Sequence, residues 1–159
     1  MSEPQFPRTT VGGVSLSRMI IGTNWMLGYS HTSGAADALI TRATRNPEAI
    51  AAIVGAFLER GVDTMMGLFG GNDVLCDGVK MAEDRTGRGV VRVDTPIIDV
   101  ADSAEARRSA AAVLDRCRAA GSAFCLPHHT SVEQLVDKGR QRIHRLPDYL
   151  AMIRERGMI

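Results

Sequence analysis

The chain has 159 residues, of which 45% are hydrophobic and 23% charged, with a formal net charge of +1. This balance is ordinary for a globular domain, and without a long basic run it argues against nucleic acid as a partner. No apolar run is as long as a membrane span, and the polar start does not resemble a signal peptide, so no membrane partner is expected. The three cysteines form no C-x-x-C pair and are odd in number, which favours reduced thiols and a cytoplasmic location.

The first predicted elements are a hairpin, a strand and a long loop. Residues 1–17 are predicted as an N-terminal hairpin cap, because two short extended runs flank the Gly12-Gly13 turn. Residues 18–23 form an apolar run typical of a buried parallel strand. A polar and aromatic loop follows at 24–33, and residues 34–45 predict a short helix.

Strands then alternate with amphipathic helices. Three further strands are predicted, at residues 62–66, 90–94 and 122–126. The helix before the second strand begins at Asn46 and Pro47 and carries its apolar residues on one stripe. A second helix follows the turn at residues 70–72, and a third is predicted to begin at the capping-box pair Asp102 and Glu105.

The last predicted elements are a fourth helix and the start of another strand. Thr130 and Glu133 repeat the capping box and predict a helix through Ile143, followed by a helical turn from Pro147. Four basic side chains are expected on the solvated face of this stretch: Arg140, Arg142, His144 and Arg145. Gly157 ends a Glu-Arg-Gly sequence like the one that precedes the second strand, so the final residues predict the beginning of a fifth strand.

Alternating strands and helices predict an α/β fold with a parallel sheet. A Rossmann fold is disfavoured, because no G-x-G-x-x-G sequence follows the first strand. The sequence therefore predicts a single, partial TIM-barrel domain over residues 1–159. In it, residues 18–159 supply about four βα units and the start of a fifth strand, as in the N-terminal half of a (β/α)₈ barrel.

In such folds, the catalytic and ligand-binding residues lie at the carboxyl ends of the parallel strands. The long loop after the first strand is predicted to bind substrate, although it could instead plug the barrel mouth. Asp94 precedes Thr95-Pro96, which is expected to expose its carboxylate, and His128 suits an acid or base near neutral pH. The predicted substrate-binding residues are Thr23, Asn24, Trp25, Tyr29, His31 and His129, and the predicted catalytic residues are His128 and Asp94.

Other interpretations of these residues remain open. The alternative ligands of a divalent metal are His31, Asp94, His128 and His129, as in a metal-dependent lyase, isomerase or hydrolase of the TIM-barrel type. Adjacent histidines alternate in direction, so at most one of the pair is expected to act. Asp94 could simply terminate its strand, and Asp63 is interpreted as a paired structural carboxylate. No Ser–His–Asp signature, H-E-x-x-H sequence or Walker loop is present.

Two segments resemble aldo-keto reductases. Residues 8–23 read RTTVGGVSLSRMIIGT, like that family's hairpin and first strand, and residues 57–64 read FLERGVDT, like its second helix-to-strand passage. Residues 20–33, IIGTNWMLGYSHTS, are also similar to a group of uncharacterised bacterial barrel proteins with a GTNWxxGYSHTS loop. The resemblance implies a (β/α)₈ barrel with a small-molecule ligand at its mouth.

The resemblance also implies a tetrad of aspartate, tyrosine, lysine and histidine that this sequence mostly lacks. Met66 stands at the aspartate position, Phe69 or Gly70 near the tyrosine, and Pro96 at the lysine, whereas His128 keeps the histidine. Ordinary carbonyl reduction is therefore not expected. The cofactor is unknown, and NADP is implied only for a full-length barrel, because the family holds it mainly through the second half.

These observations predict an aldo-keto-reductase-like barrel protein of unassigned activity. The metal-dependent enzyme is one alternative, and a non-catalytic partial barrel that acts as an assembly unit is another. Half a barrel leaves strand edges and one sheet face uncovered, so self-association or docking with a second half-barrel is expected.

Overall fold

The computed structural model describes residues 6–159, so the first five residues of the predicted hairpin cap lie outside the description. The chain divides into two compact units. The first unit runs to Gly67 and includes Asn72–Arg92, and the second comprises Leu68–Gly71 and Val93–Ile159. Across residues 6–159, no helix is both long and apolar enough to cross a bilayer.

A four-stranded parallel sheet carries the fold, in the order β3-β4-β5-β6. Its strands are β3 (Ile20–Gly22), β4 (Thr64–Gly67), β5 (Val91–Asp94) and β6 (Phe124–Cys125). All four lie within the segments predicted as strands or extend them by one residue, and the predicted α/β class and parallel pairing are confirmed.

The N-terminal hairpin is confirmed in the first unit. Strands β1 (Arg8–Val11) and β2 (Val14–Ser17) pair antiparallel, with Val11 opposite Val14 across the glycine turn. Asp63 holds the base of the hairpin, since its carboxylate lies 2.8 Å from the Arg8 guanidinium and accepts the Ser17 N–H at 3.3 Å. These contacts agree with the structural interpretation of Asp63.

The helices of the first unit begin and end where local signals indicate. They are α1 (Asn24–Leu27), α2 (Gly34–Thr44), α3 (Pro47–Leu58) and α4 (Asp73–Thr86). The Asn46 side chain accepts the Ala49 N–H at 2.8 Å and caps α3. Helices α3 and α4 approach closely at Gly78, where a Cβ atom would lie 2.6 Å from Ile50 Cβ, so only glycine fits there.

The third predicted helix starts one residue later than the capping-box pattern indicates. Helix α5 spans Ala104–Ala119, and its N-cap is Ser103, whose Oγ accepts the Ala106 N–H at 3.0 Å. The predicted cap Asp102 instead pairs with Arg107 at 3.0 Å and Arg145 at 3.2 Å. Asp102 thus pairs with one cation of α5 and with another that follows much later in the chain, and the serine caps the helix.

The predicted fourth helix through Ile143 is wrong. Helix α6 spans only His129–Val132, and a 3₁₀ turn, Glu133–Leu135, follows it. The chain then forms a hairpin of β7 (Val136–Asp137) and β8 (Arg142–Ile143), and α7 spans Leu146–Glu155. His128 rather than Thr130 caps α6, and Gln141 and Arg145 adopt left-handed backbone angles that a helix cannot contain.

The final residue lies alongside β6. The Ile159 N–H donates to Ala123 C=O at 3.0 Å, and the Cys125 N–H donates to Ile159 C=O at 2.9 Å. Bonds to the residues on either side of Phe124 are the pattern of a parallel ladder. The structure assigns no strand to the final residues, so the start of a fifth strand stays a prediction, while the two hydrogen bonds occupy part of the β6 edge.

Candidate functional site

The loop after β3 folds as a compact motif that exposes its aromatic side chains. Helix α1 buries Met26 and Leu27, whereas Trp25 is 63% exposed and Tyr29 is 50% exposed. Gly28 ends the helix with φ of 90°, a left-handed angle that favours glycine. Two large aromatic rings thus face solvent on a loop that holds its own backbone in place.

Helix α2 packs against this loop and holds its backbone in place. A Cβ atom at Gly28 would lie 2.2 Å from Thr41 Oγ1, so the backbone passes directly over that side chain. The Thr44 hydroxyl donates to the Trp25 carbonyl at 2.7 Å. Asp37 accepts the Ser30 hydroxyl at 2.6 Å and the Ser30 N–H at 2.7 Å. The hydrogen bond from the Ser30 hydroxyl has the larger effect and the one from the Ser30 N–H the smaller, and together they hold the pKa of Asp37 below its ordinary value.

Asn24 and His31 form the polar part of the motif. Their side chains meet at 2.8 Å between Asn24 Nδ2 and His31 Nε2. Because the amide nitrogen can only donate, Nε2 accepts, and the neutral imidazole carries its proton on Nδ1. Asn24 Oδ1 and His31 Nδ1 therefore offer a ligand one acceptor and one donor. His31 has φ of 59°, a conformation that non-glycine residues adopt at some cost in energy.

Thr23 lies at the base of the motif and is only 2% exposed. Its side chain does not cap α1, and it lies against Gly67 at the end of β4. A Cβ atom at Gly67 would lie 1.8 Å from Thr23 Oγ1, so a larger residue would displace the threonine. Sequence reasoning missed Gly67, and only the distance across the β3–β4 pair reveals it.

Asp94 belongs to the second unit, and its expected exposure is wrong. The side chain is 1% exposed. Its carboxylate accepts the Phe69 N–H at 3.2 Å, the Gly70 N–H at 2.9 Å and the Ser122 hydroxyl at 3.2 Å. The strand ends before the proline at position 96 as predicted, but the chain at 68–71 covers the carboxylate. The catalytic role of Asp94 stays a prediction.

Two titratable side chains, Asp94 and Cys117, contact each other in the second unit. Burial raises the pKa of Asp94 above its ordinary value, although hydrogen bonds from Cys117, Phe69, Gly70 and Ser122 oppose the shift. The Cys125 thiol and then burial raise the pKa of Cys117. A thiol held neutral in this way is a poor nucleophile, so Cys117 packs in the core rather than reacts.

The two predicted histidines lie side by side after β6. Their ring centroids are 4.1 Å apart. His128 Nδ1 accepts the Thr130 N–H at 3.3 Å and lies 2.8 Å from the Thr130 hydroxyl. A neutral His128 then carries its proton on Nε2, which suits it to donate a hydrogen bond or a proton to a ligand. His129 is exposed at the start of α6.

The predicted site residues therefore fall into two groups. Thr23, Asn24, Trp25, Tyr29 and His31 gather in the first unit, and Asp94, His128 and His129 belong to the second. That both groups face one concavity stays a prediction. The positions aligned with the reductase tetrad carry no titrating group besides His128, and Phe69 is fully buried.

The alternative metal site is not assembled. Among residues 6–159, no group of three or more histidine, cysteine, aspartate or glutamate side chains is arranged to hold a metal ion. Of the predicted ligands, His31 belongs to the first unit, and Asp94, His128 and His129 form no such group within the second. In addition, backbone N–H groups and the Ser122 hydroxyl already bond both oxygens of the Asp94 carboxylate.

Comparison with known proteins identified no relative of this chain. No family model, no curated protein and no solved structure matches this chain. The residues and their geometry are therefore the basis for inferring function.

Proposed function

We propose that the chain is an aldo-keto-reductase-like protein of the cytoplasm, folded as the first half of a (β/α)₈ barrel, that binds a small polar metabolite. The loop after β3 is the binding element, and His128 is the best acid–base candidate. The observation that carries this proposal is the exposure of Trp25 and Tyr29 on a loop whose backbone is fixed by α2. Three free cysteines support the cytoplasmic location.

The chemistry of the loop supports a small polar ligand. Burying the face of Trp25 against a ligand stabilises the complex, while Asn24 Oδ1 and His31 Nδ1 supply directed hydrogen bonds. No lysine or arginine lies within residues 24–33, so the loop offers polar rather than cationic contacts. Pre-formed loops bind with less entropic cost than mobile ones.

Tryptophan fluorescence tests the binding proposal directly, because Trp25 is the single tryptophan of the chain. We expect a saturable change in Trp25 emission with at least one member of a panel of sugars, polyols, hydroxy acids and amino acids. His31→Gly removes the imidazole but keeps the left-handed backbone angle, and we expect it to weaken binding about tenfold, the worth of one good hydrogen bond.

The matched control is Lys80→Ala, an exposed residue of α4 in the same unit. It should bind as the wild type does. Unchanged emission with every compound of the panel contradicts the proposed binding, and equal affinity in His31→Gly contradicts the role of the loop.

A second prediction concerns catalysis. The purified chain should show no measurable oxidation of NADPH with ordinary aldehydes, because Met66, Phe69 and Pro96 carry no group able to donate or tune a proton. Absorbance of the reduced nicotinamide measures this. Robust turnover would contradict the prediction, and turnover that survives His128→Ala would show that the aligned positions are wrong.

The non-catalytic alternative also has an observation in its favour. In the first unit, Ile20 and Met66 lie on the same face of the sheet and are 48% and 38% exposed. A strand face of this kind suits an assembly unit whose function depends on what covers it. The mass of the chain in solution, considered in the Discussion, separates this alternative from an independent binding protein.

A further inference from the structure

We propose that residues 136–145, the basic hairpin, are a docking surface for an acidic protein segment that carries apolar side chains. The basic hairpin comprises β7, β8, the turn between them, and His144 with Arg145. It lies within the second unit, whereas the loop proposed to bind a metabolite belongs to the first. Nothing in the proposed function requires it.

The hairpin is fixed at its base. Strands of two residues are too short to be stable alone, so other contacts must hold them. The Arg145 guanidinium donates to the carbonyls of Val100 and Ala101, pairs with Asp102 at 3.2 Å, and lies 5.8 Å from the Tyr149 ring centroid. The His144 N–H donates to Leu135 C=O at 2.8 Å. A partner would therefore meet a preformed surface.

Positive charge is concentrated here. Residues 136–145 hold four lysine and arginine side chains and one carboxylate, and in the part of the chain that the structure describes only Arg145 of the four pairs with a carboxylate outside the segment, that of Asp102. The carboxylate, Asp137, already lies within 3.4 Å of Arg140 and 3.5 Å of His144. Among residues 6–159, Lys138 and Arg142 have no ion-pair partner. The surface is thus complementary to negative charge.

An apolar pair accompanies these cations. Val136 and Ile143 are directly opposite each other across the hairpin, and each is 39% exposed. An exposed cross-strand pair of branched side chains gives a partner an apolar contact that a purely solvated basic hairpin would lack.

The same residues argue against two other anionic partners. Single-stranded nucleic acid is bound mainly through stacking on large aromatic side chains, and residues 136–145 contain no tryptophan, tyrosine or phenylalanine. A membrane surface is bound through bulky anchors such as tryptophan and phenylalanine on a longer amphipathic element, which two short strands do not provide. An acidic segment with apolar side chains satisfies both the charges and the apolar pair.

Fluorescence anisotropy tests this on the whole chain, with a labelled synthetic peptide of alternating glutamate and leucine as the probe. We expect binding that weakens as salt is added, and about a tenfold loss of affinity in Lys138→Gln/Arg140→Gln. Arg108→Gln/Arg118→Gln is the matched control, because it removes two exposed charges from α5 and should bind as the wild type does. A peptide of alternating glutamate and serine should bind more weakly than the leucine peptide.

Three results would overturn the proposal. One is equal affinity in the hairpin variant and the control variant, which would place the charge effect elsewhere. Another is equal affinity for the leucine and serine peptides, which would leave the apolar pair without a role. The third is hairpin-dependent binding of single-stranded RNA or anionic vesicles together with no binding of the leucine peptide, which would assign the surface to a different partner.

Discussion

Replacing Asp94 by alanine is expected to lower the free energy of unfolding by about 3 kcal/mol, a large share of the stability of a domain. The carboxylate accepts hydrogen bonds from Phe69 N–H, Gly70 N–H and the Ser122 hydroxyl inside the second unit. Alanine would leave these donors buried with no acceptor, and each buried unsatisfied donor costs about 1–3 kcal/mol. Urea denaturation monitored by circular dichroism measures the change.

Asp94→Asn is the matched control for this experiment. Asparagine keeps the shape and one acceptor oxygen, so we expect it to be less destabilising than alanine. If Asp94→Ala unfolds at the same urea concentration as the wild type, the three donors find water or other partners, and the carboxylate does not hold the 68–71 segment.

The difference in stability between the wild type and Asp94→Asn is expected to change with pH in a definite direction. Burial raises the pKa of Asp94 above its ordinary value of 3.8, so the native state binds this proton more tightly than the unfolded state does. The contribution of this proton to stability is present below 3.8 and is lost as pH rises through the raised pKa. We therefore expect the stability of the wild type, relative to Asp94→Asn, to rise as the pH falls from neutral. The opposite trend would mean that hydrogen bonding outweighs burial.

The second large effect expected is concentration-dependent self-association of the purified chain. In the first unit, Ile21 and Met65 are buried on one face of the β3–β4 pair, whereas Ile20 and Met66 on the other face are exposed. Strand β3 also stands at one end of the sheet among the described residues, so one of its edges is available for pairing. At about 25 cal/mol per Å², a few hundred Å² of apolar surface in water costs several kcal/mol.

Sedimentation across a concentration series measures this association. Ile20→Lys places a charge on the exposed sheet face and should shift the chain towards monomer. Leu39→Lys, at a 65% exposed position of α2, introduces the same charge away from the sheet and should associate as the wild type does. A wild-type monomer at every concentration would contradict the prediction, and so would equal association of Ile20→Lys and the wild type.

Local signals were sufficient for most of the elements. Asn46 caps α3, Pro47 begins it, and alternation of strand and helix predicted a parallel sheet that the structure confirms. Such signals act over a few residues, because a cap or an apolar stripe depends only on neighbours within one or two helical turns. The failures occurred where a distant residue intervened. Asp102 does not cap α5; it pairs with Arg107 and with Arg145, which lies 43 residues later in the chain.

At the candidate site, too, local signals were predicted correctly and contacts between distant residues were not. The sequence predicted that the loop after β3 would carry exposed polar and aromatic residues, because Trp25, Tyr29 and His31 lie together in a long segment after a strand. It did not predict the contact of Gly67 with Thr23, which requires the register of two strands. It also predicted an exposed Asp94, whereas the segment around Phe69 and Gly70, 24 or 25 residues away in the chain, covers it.

By itself the sequence determined the α/β class, the N-terminal hairpin, and the order of the four sheet strands with helices α2 to α5. It also determined the loop after the first sheet strand, because each of these features depends on residue spacing along one segment. Only the tertiary structure decided that Asp94 is buried, that residues 136–143 form a hairpin rather than a helix, and that Ile159 pairs with the last sheet strand. Each of these depends on hydrogen bonds between segments far apart in the chain, such as Arg145 with the Val100 carbonyl and Ile159 with Ala123. Their energies exceed the local preferences of a short segment, which amount to a few tenths of a kcal/mol per residue.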